Sequence, residues 1–184
     1  MTNDLLLVAA TELELCDREG LVCGVGPVEA AAATAARLAG DRPRAVLHLG
    51  VAGGRRLTPG TLVFGTEAAY LDLAAGIPVV DRVEPDPGLL AALRAAFPDV
   101  VALPIATSAM VRSGPAEHDF RVEAMEGFGV LRAASLAGVP AIEIRAVSNE
   151  IGEQDRSRWQ IAEAIDELSP VTPALLEAIA AAVR

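Results

Sequence analysis

Between Glu123 and Glu150 the chain reads EAMEGFGVLRAASLAGVPAIEIRAVSNE, and three polar side chains, Glu126, Arg145 and Asn149, interrupt segments otherwise suited to burial. The two oxygens of a carboxylate such as Glu126 match the two hydroxyls of a vicinal diol. A carboxylate near a helix start is also favourable without any ligand. Arg145 lies in an apolar strand-like run and requires an acidic partner, because burying a guanidinium alone is very costly. Glu143 is two residues away on the same strand face, and Glu126 or Glu14 could reach it in space. Asn149 offers a donor and an acceptor together, which suits the edge of a planar heterocycle; Asn at a strand end also suits a turn.

Two glycine-rich stretches could bring backbone close to a ligand. LGVAGGRRL, from Leu49 to Leu57, lacks the G-K-[ST] ending of a phosphate-binding P-loop. GVGPVEAA supplies Gly24 and Gly26 of a dinucleotide fingerprint but has Glu29 at the third position, so a tight strand-to-helix turn explains it better. His48 and Ser148 form no convincing triad with any acid. Cys16 and Cys23 make no CxxC pair, and with His48 and His118 they give no zinc-like spacing; both read as reduced packing residues.

These residues need elements to position them. DLLLVAA and GLVCGVG read as strands, and PVEAAAATAARLAG as a helix with Pro27 at its start and Gly40 at its end. RAVLHLG and TLVFGTEAAYLD read as strands, PGLLAALRAAF as a helix and DVVALPIATSAMV as extended. AMEGFGVLRAASLAG fits a helix started by Glu126, PAIEIRAVSN a strand, and DRSRWQIAEAIDEL through PALLEAIAAAVR a closing helical region broken at Pro170 and Pro173. Strands apolar on both faces and separated by helices predict an α/β fold: a mostly parallel mixed central sheet covered on both sides, three layers α/β/α. Ligands of such sheets sit beyond the carboxyl ends of the strands. Ser148 and Asn149 close one strand, GVAGG follows another, and Glu12 and Glu14 follow the first.

Composition bounds the answer. The 184 residues predict a single domain, 1–184, and 52 % hydrophobic against 22 % charged residues predict a folded one. Aromatics are 3 %, so the core must be aliphatic. A formal net charge of −10 argues against nucleic acid as a partner. MTNDLLLVAA has an acid where a signal peptide wants a positive start. No run approaches the length of a membrane span. The expectation is a cytoplasmic protein with no membrane partner.

Four pieces of this chain, in order, resemble the nucleoside phosphorylase and nucleosidase superfamily: GVGPVEAA its G-[IV]-G-x-x-x-A-A element, GVAGG its G-x-A-G-G loop, MEG its M-E-[GA] ribose motif, and RAVSN its R-x-[IV]-S-[DN] element. Within it, EAMEGFGVLRAA and RAVSNEIGEQDRSRW look closest to the futalosine hydrolase family, menaquinone-pathway nucleosidases that release hypoxanthine. The 5′-methylthioadenosine/S-adenosylhomocysteine nucleosidases end the last motif in Asp, whereas this chain has Asn149. The exchange has a physical logic. Adenine leaves once N7 is protonated, which a carboxylic acid can do. Hypoxanthine takes up charge on its 6-oxo group, which an amide can stabilise by hydrogen bonding.

The resemblance implies a phosphorylase/nucleosidase-like fold and hydrolysis of the N-ribosyl bond of futalosine, with no metal or organic cofactor. By position it implies Glu14 as the water-activating acid, with Glu12 its rival, and Arg145 as the group fixing the water and the acidic cluster. Glu126 would hold the ribose hydroxyls and Met125 pack against the sugar. Ala52 and Gly53 would approach sugar or base, Asn149 would read the purine, Ser148 would contact the substrate, Val111 and Arg112 would line the base pocket, and Trp159 would wall the 5′ side. Relatives imply a homo-oligomer. The alternatives are an adenine thionucleoside nucleosidase, a phosphorylase using Arg55 or Arg56 for phosphate, and a nucleoside-binding module without turnover.

Overall fold

The structure, a computed structural model, describes residues 5–73, 76–111 and 118–183. Among the described residues the strands are β1 (Leu5–Ala9), β2 (Leu21–Val22), β3 (Ala45–Gly54), β4 (Leu62–Tyr70), β5 (Arg82–Val83), β6 (Val101–Thr107), β7 (Val122–Ala124) and β8 (Ala141–Glu150). The helices are α1 (Pro27–Gly40), α2 (Pro87–Ala96), α3 (Gly127–Ala137) and α4 (Ile161–Ala182).

The sheet runs β2-β1-β3-β7-β6-β4-β5, and β8 pairs with both β3 and β4. Strands β3, β7, β6, β4 and β8 therefore close into a ring. Most of the pairing is parallel; β3–β7, β4–β5 and β4–β8 are antiparallel. Alternation along each strand feeds two covered faces. Leu7, Leu47, Leu49, Ile142 and Ile144 pack with Leu89 and Leu93 of α2 and Leu168 and Leu175 of α4. Leu6, Val8 and Val46 pack on the other face with Ala30 and Leu38 of α1 and Val130 and Ala134 of α3. A third cluster of Ala52, Val63, Ile105, Val122, Ala124 and Val147 joins strands of the ring.

Local signals explain the helix ends. Asp86 caps α2 by accepting hydrogen bonds from the Gly88 and Leu89 N–H groups, and Pro87 follows it. Gly138 ends α3 with φ of 67°.

The structure corrects several expectations. GVAGG does not follow a strand; it is the last half of β3, with a register shift between Ala52 and Gly53. GLVCGVG contributes only the two-residue β2. Prolines 170 and 173 do not break the final helix, which is one run from Ile161 to Ala182. Pro173 has no N–H to offer the Ser169 carbonyl, and Arg18 Nη2 donates to that oxygen instead at 3.0 Å. The Asp166 carbonyl, which loses its helical donor to Pro170, belongs to an exposed residue. Among the described residues, no helix is long and apolar enough to cross a membrane.

Candidate active site

The carboxyl ends of β1, β3 and β8, the segment after β6 and the link from β7 to α3 surround one cavity of about 330 Å³. A short 3₁₀ turn after β1 presents Glu14 to it, while Glu12 points to solvent and is not on its wall. Glu14 is 6 % exposed. Its Oε1 accepts the Val51 N–H at 2.9 Å and its Oε2 accepts the Thr11 hydroxyl at 2.9 Å. The spacing Thr11-x-x-Glu14 therefore fixes the rotamer locally, and β3 fixes it from the sheet.

Glu126 caps the start of α3 by position, but its carboxylate bonds elsewhere. Its Oε1 accepts the Gly26 N–H at 3.1 Å, and its Oε2 accepts from Arg145 Nη2 at 3.3 Å. The GVG turn thus clamps the carboxylate from the front. Met125 lines the cavity beside it.

Arg145 is not on the cavity wall. It is fully buried in β8 behind Glu126. Its Nε donates to Glu143 Oε1 at 2.7 Å, and its Nη2 lies 2.5 Å from His48 Nε2. His48 Nδ1 is 3.0 Å from the Val8 carbonyl. With Nδ1–H donating to Val8, Nε2 is left as the acceptor for Arg145. Burial first, and Arg145 second, hold the His48 imidazole well below its ordinary range, so it stays neutral. Burial opposes the charge on Arg145, but Glu143, Glu126 and Glu14 outweigh it and push the guanidinium upward. Burial also raises the Glu143 carboxyl, against the pull of Arg145. The result is a cation locked between acids and a neutral histidine.

At the end of β8, Asn149 and Ser148 both line the cavity. The Ser148 hydroxyl is 2.7 Å from Asn149 Oδ1 and 3.3 Å from the Ala52 carbonyl. Asn149 Nδ2 donates to the Glu150 carbonyl at 3.0 Å. Ala52 and Gly53 form wall from β3, and Val111 forms wall from the segment after β6. Asp72 holds that segment through the Ser108 hydroxyl and the Ala109 N–H. Arg112 lies outside the described residues. Trp159 completes the wall, with Nε1 donating to the Glu153 carbonyl at 2.9 Å and the Arg156 guanidinium 5.7 Å from its ring centroid.

The phosphorylase superfamily model matches residues 21–183. The futalosine hydrolase of Streptomyces coelicolor is 37 % identical over 81 % of this chain and 74 % of its own length. The chain belongs to the phosphorylase superfamily, and within it to the futalosine hydrolase family. Solved structures share the fold, two of them as follows. The Helicobacter pylori futalosine hydrolase superposes with a TM-score of 0.81 at 15 % identity, covering 96 % of this chain and 97 % of that one. A Colwellia psychrerythraea 5′-methylthioadenosine/S-adenosylhomocysteine nucleosidase in complex with adenine gives 0.84 at 19 %, covering 95 % of each.

In this superfamily member Glu14, Ala52, Gly53, Val111, Met125, Glu126, Ser148, Asn149 and Trp159 converge on the cavity, with Arg145 behind the wall and Glu12 outside it. The sequence reading missed others. Thr11, the Val51 N–H and the Gly26 N–H hold the two cavity carboxylates. His48, set aside as a triad member, is a buried partner of Arg145, and its place in an apolar strand was the available signal. Glu123 and Arg156 also line the cavity. Neither Arg55 nor Arg56 does; Arg55 Nη1 is spent on the His118 carbonyl at 2.8 Å.

Proposed function

We propose that the chain hydrolyses the N-ribosyl bond of futalosine and releases hypoxanthine, the reaction expected for its place in menaquinone biosynthesis. The observation that carries this reading is one cavity lined by two buried carboxylates, Glu14 and Glu126, and one uncharged amide, Asn149. The sequence relationship to the Streptomyces coelicolor enzyme supports the same choice of substrate.

In this mechanism the sugar gains oxocarbenium character as the base departs, as in glycoside hydrolysis. Glu126 accepts hydrogen bonds from the ribose hydroxyls, its orientation set by Gly26 and by Arg145 as a positioning residue. Glu14 takes a proton from the attacking water. Asn149 donates to the departing base while Ser148 engages its Oδ1, so the amide faces the base as a donor. A 6-oxopurine offers acceptors at O6 and N7, which suits that orientation. Met125 packs on the sugar, and Trp159 walls the 5′ substituent.

The functional unit in this reading is one domain spanning residues 1–184, working in the cytoplasm; Cys16 and Cys23 are free and buried, which fits a reducing compartment. It assembles as a homo-oligomer. Leu13, Val25 and Met110 line the cavity and are 57 %, 57 % and 54 % exposed, apolar surface that a second copy would cover.

The test is incubation of purified protein with futalosine, with and without phosphate, and chromatography of the free base. Hypoxanthine release without phosphate is expected. Strict dependence on phosphate would establish phosphorolysis, and ligand binding without base release would establish a binding module.

A further inference from the structure

The turn that presents Glu14 is fastened from outside the cavity. Directly after the 3₁₀ turn, Cys16 and Asp17 both adopt left-handed backbone, with φ of 54° and 59°. Two such residues in succession, neither of them glycine, store strain that the surroundings must hold in place. Arg18 follows them and folds back. Its Nη1 donates to the Cys16 carbonyl at 2.6 Å, and its Nη2 donates to the Ser169 carbonyl of α4 at 3.0 Å. Among the described residues this guanidinium makes no ion pair; both of its partners are backbone oxygens.

The Ser169 carbonyl is available because of Pro173. A proline brings no N–H to the carbonyl four residues back, and its ring pushes that carbonyl away from the helix axis. Pro173 is exposed, so core packing does not explain its place inside a helix. Leu15 and Cys16 pack with Leu168 and Leu175 of α4, which seats the turn on the helix that Arg18 then grips. The start of α4 reaches the cavity. The Gln160 N–H donates to the Ser148 carbonyl at 2.8 Å, and Ile161 is on the wall. One length of helix therefore joins a contact beside Asn149 to the contact that holds the Glu14 turn.

We propose that Arg18 is a positioning residue for Glu14: its bond to the Ser169 carbonyl, freed by Pro173, keeps Cys16 and Asp17 left-handed and so keeps the Glu14 carboxylate on the Val51 N–H and within reach of the attacking water. The inference rests on the nucleosidase reading above. It extends the catalytic geometry to α4, on a face of that helix away from the cavity wall.

The experiment measures futalosine hydrolysis and, by NMR, hydrogen exchange of the Val51 amide, whose N–H donates to Glu14 Oε1. Arg18→Met keeps a long side chain and removes both donors. Its kcat should fall roughly 10- to 100-fold, the effect of a small displacement of a reacting group, while KM changes little. Val51 exchange should quicken at least about 10-fold through local opening, with the Leu47 amide, farther back on β3, unchanged. Asp17 is exposed, and Asp17→Gly relieves the backbone strain without removing a buried contact. Added to Arg18→Met, it should restore most of the lost turnover. Pro173→Ala keeps the test decisive should Arg18→Met fail to fold. It should raise the melting temperature, since alanine suits a helix interior, yet lower kcat, because the new N–H draws the Ser169 carbonyl back toward the helix. Wild-type kcat in Arg18→Met, unchanged Val51 exchange in that variant, or a Pro173→Ala variant that gains stability at full turnover would overturn the proposal. If the unmodified protein releases no hypoxanthine, the nucleosidase reading fails instead, and Val51 exchange still decides whether Arg18 positions Glu14.

Discussion

Arg145 Nη2 lies 3.3 Å from Glu126 Oε2, yet Arg145 itself is fully buried and absent from the cavity wall. The guanidinium therefore acts on chemistry through the carboxylate it holds and through its charge beside Glu14. It also neutralises Glu143, whose Oε1 is 2.7 Å from Arg145 Nε and whose side chain has no exposure. Removing one member of a buried ion cluster leaves an uncompensated charge, at a cost of about 3–5 kcal/mol. Arg145→Met should accordingly unfold at much lower urea concentration than the wild type. Arg145→Lys retains a charge but cannot reach Glu143, His48 and Glu126 with one planar fork. It should fold with reduced stability and lose kcat with little change in KM. A stable Arg145→Met variant with normal turnover would show that the cluster neither supports the fold nor positions Glu126.

Glu14 and Glu126 separate by the same logic. Glu14→Gln keeps an oxygen to accept the Val51 N–H but removes the proposed general base. Its kcat should fall roughly 10²- to 10⁴-fold, with a melting temperature within a few degrees of wild type. Glu126→Gln keeps the size, yet presents an amide N–H to either Gly26 or Arg145, both of them donors. It should lose kcat as well and also be measurably less stable in a urea titration. Wild-type turnover by either variant would remove that residue from the mechanism.

His48 predicts a pH dependence. Its folded imidazole is held well below the ordinary value of 6.5 by burial and by Arg145. The unfolded chain therefore takes up this proton first as pH falls. Stability from the neutral histidine is fully present above 6.5 and is lost below it, at up to about 1.4 kcal/mol per pH unit. The raised Glu143 carboxyl acts in the opposite sense, losing stability as pH rises above its unfolded value. Comparing the wild type with His48→Gln cancels that contribution to first order. Urea midpoints at pH 5, 6, 7 and 8 should show a steeper acid-side decline for the wild type than for His48→Gln. Parallel declines would mean that His48 is not the neutral acceptor inferred for it.

The alternation of short apolar strands and amphipathic helices was legible because each element is long enough to show its period, as in α1, whose sequence limits match the fold. The strand ends were legible for the same reason, and with them the convergence of Glu14, Asn149 and Ser148. What escaped was decided by tertiary contacts. β7 has three residues and no period, so Glu123 passed without notice. Nothing local says that Gly53 pairs on both sides, or that the ring closes through β8. The helical path through Pro170 and Pro173 depends on Arg18, more than a hundred residues away. The direction in which Arg145 points is set by Glu143, His48 and Glu126 together, and no spacing in the sequence encodes that choice.

Gly127 offers a test of how rigid that cluster is. It occupies the first position of α3, where helix propensity alone would favour Ala by less than the roughly 1 kcal/mol of a helix interior. A Cβ there would run into the Glu143 carboxylate. That carboxylate has nowhere easy to move, being fully buried with Oε1 bound to Arg145. Gly127→Ala should therefore reverse the propensity gain and destabilise the fold by about 1–3 kcal/mol, the usual cost of overpacking. It should also lower kcat, because displacing Glu143 shifts Arg145 and then Glu126. Gly40, the last residue of α1, is the control: a Cβ there meets nothing within 4 Å, so Gly40→Ala should stabilise by about 0.4–1 kcal/mol. If both variants gain stability and keep full turnover, Glu143 is free to yield, and the cluster behind Glu126 is not the rigid support that the catalytic geometry needs.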